Sequence, residues 1–135
     1  MITKILEFLM ECPELRDAAF NLNYLEGKPL ACSVGQVGDD PVIKRYADGG
    51  CLCACRATVA IRHSYSQARS ENLDAAELCR RVEQWIKNRD RQGLLPLSDG
   101  AWPLSLEVTR SFSLDSTASV DAVYRGELKL IYIKD

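Results

Sequence analysis

Six cysteines and one histidine are the residues of this chain with the widest chemical repertoire. Three of the thiols fall in the run Cys51-Leu52-Cys53-Ala54-Cys55, at every second position. A zinc site gathers four ligands around one tetrahedron, usually from knuckles in turns. Alternating thiols on a strand instead point one way and spread over ~13 Å. No second cysteine pair and no histidine pair completes a ligand set. Neighbours two apart on a strand are separated by ~6.6 Å, whereas a disulfide needs Cβ atoms ~3.8 Å apart. Cys51, Cys53 and Cys55 therefore cannot bridge one another within a strand. They are read as small core side chains. The sole histidine, His63, lies eight residues beyond Cys55, ~26 Å along an extended chain, so the two cannot form a nucleophile–base couple.

The remaining candidates are weaker. Asp39, Asp40, Asp48, Asp99, Asp115 and Asp121 sit mainly in predicted turns, where aspartate is favoured for local hydrogen bonding. The chain carries no phosphate loop, no dinucleotide fingerprint, no nucleophile elbow and no metalloprotease motif. The basic segment around Arg80, Arg81, Lys87, Arg89 and Arg91 is interrupted by Glu83 and Asp90 and reads as a solvated helix face. No catalytic, cofactor-binding or metal-binding residue is assigned, and the chain is not expected to be an enzyme. A formal charge of −2 over 135 residues argues against sequence-specific nucleic-acid binding. No apolar run approaches the ~18 residues of a membrane span, and the first segment, with Glu7 and Glu11, lacks secretory features. These points predict a protein made inside the cell, with reduced thiols.

The elements that would position these residues follow from periodicity. Residues 51–65 alternate an apolar set (Cys51, Cys53, Cys55, Ala57, Val59, Ile61) with a small, polar or basic set that includes Arg56 and Arg62, which predicts a long strand with one buried face. Residues 42–47 fold back on it through Asp48-Gly49-Gly50, since glycine supplies the positive φ of a tight hairpin. Residues 2–12 form an amphipathic helix ended by Pro13. A short strand is expected at 20–25 and another extended piece at 30–37. Residues 72–90 form a second helix, with the stripe Leu73, Ala76, Cys79 (with Leu78), Val82 and Trp85 (with Ile86), capped by Ser70 or Asn72 and by Gly93. Residues 94–103 read as an apolar loop containing Leu95, Leu97 and Trp102. Strands follow at 104–112 and 120–133, joined by a polar turn from Asp115 to Ser119, with Gly126 as a bulge. The sum is one α+β domain over residues 1–135: a single, mostly antiparallel sheet with two helices packed on one face.

The layout resembles the small minor capsid and tail-completion (tail terminator) proteins of long-tailed bacteriophages and prophages. The features that carry the resemblance are the early helix, the hairpin turn at Tyr46 to Gly50, the helix ending near Trp85-Ile86, and the closing strand Ala122 to Tyr132. The cysteine run departs from the charged alternation expected there. The resemblance implies a virion structural protein that closes into a ring, often sixfold, stops tail growth and joins tail to head. It implies tail-tube and head-connector proteins as partners, and a location in the virion and, during assembly, the host cytoplasm. A head-to-tail ring needs two different patches per subunit. The candidates are Asp48, Gly49 and Gly50 at the hairpin tip, Leu95, Leu97 and Trp102 in the apolar loop, Asp115 in the later turn, and the outward Arg56, Arg62 and Arg125. An enzyme or metal protein using the thiols, and a binding adaptor that forms no ring, stand as alternatives.

Overall fold

The computed structural model describes residues 1–38, 41–65, 69–96, 100–118 and 120–135, with the side chains of 69–71 outside that description. The long alternating segment is the axis of the fold. It forms β4 (Cys51–Ser64), and its odd-numbered members Cys53, Cys55, Ala57, Val59 and Ile61 all lie in the main core. β6 (Asp121–Lys134) runs antiparallel along the whole of β4, from the pair Cys51–Lys134 to the pair Ser64–Asp121. The other side of β4 is shared end to end. β3 (Val42–Arg45) pairs with its first residues and β2 (Ala31–Gln36) with residues 57–62. β1 (Ala19–Leu22) extends the sheet beyond β2 as a parallel pair, and β5 (Ala101–Thr117) flanks β6 at the far edge.

Both helices cover the face to which the thiols point. α1 (Ile2–Met10) turns Ile5, Phe8 and Leu9 inward, and the chain continues through a 3-10 turn at Pro13–Leu15. α2 (Arg69–Gln92) buries Ala75, Leu78, Cys79, Val82 and Ile86. Leu78, Cys79, Val82 and Ile86 are buried as the sequence reading expects, whereas Leu73, Ala76 and Trp85 depart from it. Leu73 and Ala76 are exposed, and Trp85 is half-buried against Phe8 with ring centroids 4.8 Å apart. Gly93 ends α2 as expected. Its φ is 73°, its N–H donates to the Asp90 carbonyl, and the Leu94 N–H donates to the Arg89 carbonyl. The helix begins at Arg69, ahead of Asn72, whose buried Oδ1 finds no partner among the described residues.

Three corrections concern β5 and β6. β5 starts at Ala101, so Trp102 and Pro103 belong to a strand; proline is tolerated there because β5 is an edge. Asp115 also lies within β5, which runs on to Thr117. Gly126 pairs with Val59 in an unbroken β4–β6 register. The irregularity lies across from it, on β5 between Arg110 and Ser113. A Cβ at Gly126 would lie 3.0 Å from the Arg110 carbonyl oxygen and 3.2 Å from the Phe112 ring. Similar shifts recur along β5, between Pro103 and Ser105, Val108 and Arg110, and Leu114 and Ser116. α2 ties this irregular edge down with two carboxylates. Glu83 accepts from the Phe112 N–H at 2.6 Å, and Asp90 accepts from the Leu106 N–H at 2.9 Å.

Candidate functional site

The thiols are placed where chemistry is hardest. Cys12, Cys32, Cys53, Cys55 and Cys79 are buried, Cys51 is half-buried, and all six are free. Burial pushes Cys32 and Cys79 up to about 12, with small additional upward contributions from Cys12 and Glu83 respectively, and burial also raises Cys12. A thiol that keeps its proton is a poor nucleophile and a poor metal ligand. Among the described residues, no group of three or more His, Cys, Asp or Glu is placed to hold a metal ion. His63 pairs in register with Ala122, and its Nδ1 lies 2.9 Å from the Ser64 carbonyl oxygen.

Two clefts lie along the helices. One, of about 470 Å³, lies between α1 and the end of α2, lined by Phe8, Glu7, Glu11, Arg89 and Leu94. Glu7 there pairs with Lys4 at 3.3 Å, and Arg89 stacks over Trp85, 5.1 Å from the ring centroid. Another, of about 390 Å³, lies between α2 and β5 and reaches Cys79 and Tyr124. Burial raises the Tyr124 hydroxyl as well.

The face of the sheet away from the helices is different. Its rows are set by the register. Lys44, Leu52, Ile133 and Trp102 form one row across β3, β4, β6 and β5. Ala54, Ile131 and Ser105 form the next, with the exposed Leu104 at the β5 irregularity beside it. Arg56, Lys129 and Glu107 form the third. Trp102 is 55% exposed and Leu104 52%. Towards the other end, this face is closed by its own ion pairs and by the connection between β1 and β2. Arg62 binds Asp121 at 2.7 Å and donates to the Glu26 carbonyl at 2.8 Å, and Arg125 binds Asp115 at 2.8 Å.

The candidate contact residues therefore separate. Trp102 and Arg56 face solvent on the uncovered sheet face. Asp48, Gly49 and Gly50 form the expected β3–β4 turn, with Gly49 at φ 95° and the Asp48 carboxylate accepting from the Gly50 N–H at 2.9 Å; Gly50 itself is buried. Leu95 is a correction: it is 7% exposed and packs in the main core. Arg62, Arg125 and Asp115 are engaged within the chain, and the last of these is in a strand rather than a turn. Leu97 lies outside the described residues, as do Asp39, Asp40, Asp99 and Ser119. Sequence reasoning missed Leu52, Ile131, Ile133, Lys44 and Lys129 as neighbours of Trp102 and Arg56. Each stands on the non-core side of its own alternation, but only the register between strands brings them together.

No family model matches the chain, and no curated protein matches its sequence.

Proposed function

We propose that the chain is a structural subunit of a phage tail-completion ring, a tail terminator or minor capsid protein that joins tail to head. The observation that carries this reading is the row Leu52–Ile133–Trp102 on the sheet face opposite the helices, where Trp102 is 55% exposed and Leu52 and Ile133 are half-buried. An exposed tryptophan set among aliphatic neighbours is the composition of a protein-binding surface. The burial of Cys12, Cys32, Cys53, Cys55 and Cys79 supports packing, rather than chemistry, as the role of those five thiols. The same order of elements as in the tail-completion proteins, with the Asp-Gly-Gly hairpin and the long closing strand, supports the phage context.

Electron microscopy and mass measurement of the pure protein, alone and with tails of a long-tailed phage, test the proposal. Annular particles, free or at tail ends, are the expected result. A protein that stays monomeric at high concentration and leaves tail ends bare overturns it.

A further inference from the structure

We infer that β1 pairs edge to edge with β1 of a second copy of this chain, antiparallel about a twofold axis at Asn21. The sheet presents three outer strands, β1, β3 and β5. Two of them are blunted in the ways that stop strand addition. β3 follows Pro41, carries Lys44 and is irregular between Val42 and Lys44, while β5 is irregular at four places, holds Pro103 and is laced to α2. β1 has none of these devices. Ala19–Leu22 pairs with β2 in an unbroken register and contains no proline, glycine or charge. Ala19 and Leu22 are exposed, and Phe20 and Asn21 are half-buried.

The strand's own ladder fixes where its free groups point. The Ala19 N–H donates to the Leu30 carbonyl and the Asn23 N–H to the Val34 carbonyl, so the odd-numbered residues turn their backbone groups towards β2. Backbone groups alternate in direction along a strand. Phe20 and Leu22 therefore each turn an N–H and a C=O outward, where no described residue meets them. In an antiparallel pair centred on Asn21, Phe20 lies opposite Leu22 of the second copy, and Leu22 opposite its Phe20. These are the hydrogen-bonded positions of such a ladder, so each exchanges both N–H···O=C bonds using groups otherwise left to water. Cys32 and Val34, the β2 partners of Phe20 and Leu22, are core residues, which puts both side chains on the helical side. The phenylalanine–leucine pairs thus continue the core across the contact, and Leu22, 36% exposed, gains cover. On the opposite side the two Asn21 amides meet, each carrying a donor and an acceptor for the other. Neighbouring registers fail. One centred on Phe20 needs the Ala18 N–H, which already donates to the Leu15 carbonyl. One centred on Leu22 needs Tyr24, beyond Asn23, whose φ of 56° ends the strand. An isologous contact joins subunits in pairs and does not by itself propagate round a ring, so it stands apart from the ring reading.

Sedimentation over a concentration series and thiol cross-linking test it. Leu22→Pro removes an outward N–H and sets a ring in the path of a pairing strand, yet breaks no bond to β2, and proline is tolerated at such an edge position. It should keep the circular dichroism of the wild type and weaken pairing about tenfold or more. Asn21→Cys puts two thiols at a directly opposed position, with Cβ atoms about 5 Å apart. Under mild oxidation it should give a covalent dimer that neither the wild type nor Ala19→Cys gives. A wild-type protein that is monomeric at about 100 μM, or a Leu22→Pro protein that pairs as tightly as the wild type, overturns the contact. Asn21→Cys that cross-links no better than Ala19→Cys also overturns it, and that comparison holds even where Leu22→Pro fails to fold. Annuli at tail ends alongside any of these failures sink this contact alone and keep the ring reading.

Discussion

A thiol is only as reactive as its surroundings allow it to ionise, and in this chain the surroundings work against it. Cys32 and Cys79 keep their protons up to about 12 because a buried thiolate would lose its hydration. An acid whose folded value is raised contributes stability that is fully present below its unfolded value, about 8.5 for cysteine. That contribution is lost as pH climbs towards 12. In reductant, the unfolding free energy from urea titrations should therefore fall between pH 8.5 and 11, by up to about 1.4 kcal/mol per pH unit for each such thiol, and the midpoint with it. A flat midpoint over that range would show that the thiols are solvated. A disulfide probe should label the half-buried Cys51 first and the others only on unfolding. Gly126 is constrained by space rather than by dihedral angle. Gly126→Ala should destabilise by about 1–3 kcal/mol in denaturant titrations, because its methyl would press on the Arg110 carbonyl and the Phe112 ring. The inward row of β4 was legible because strict alternation leaves one reading. The reason for Gly126 was not, because the side chain that crowds it is fourteen residues upstream on another strand.

At the scale of elements, α2 and β5 depend on each other. Glu83 and Asp90 hold two backbone N–H groups of the edge strand. Glu83→Ala should cost about 1–3 kcal/mol and speed amide exchange at Phe112, while Glu83→Gln, which keeps an acceptor, should cost less. Unchanged exchange at Phe112 would show that the carboxylate is dispensable. Trp102 and Leu95 make a contrast, since one hydropathy-based reading places both in the same loop. Trp102→Ala should leave stability within about 1 kcal/mol and impair assembly. Leu95→Ala should cost about 2–5 kcal/mol in thermal or denaturant unfolding. A Trp102→Ala protein that unfolds would place that ring in the core. The hairpin, the two helices and the three long strands could be read from turn residues and periodicity. The start of β5 could not, because Gly100 and Pro103 look like loop punctuation until the strand is known to be an edge. The α2 stripe was legible at Leu78, Cys79, Val82 and Ile86 but missed in its first turns, because Ala75 and Ala76 are equally apolar and only packing against β6 distinguishes them. The parallel pairing of β1 with β2 has no local signal at all.

For the whole molecule, the sheet acts as a partition. The main core and five buried thiols lie on the helical side, and the exposed Trp102 with its half-buried neighbours Leu52 and Ile133 lies on the other. The repeated irregularities of β5 have a further consequence. A long, flat, bare outer strand is a template on which more chains stack without limit, towards amyloid. Here the outermost strand is broken at four places and laced to a helix. Crowding many copies together, as building any particle must, therefore carries little hazard of fibre growth.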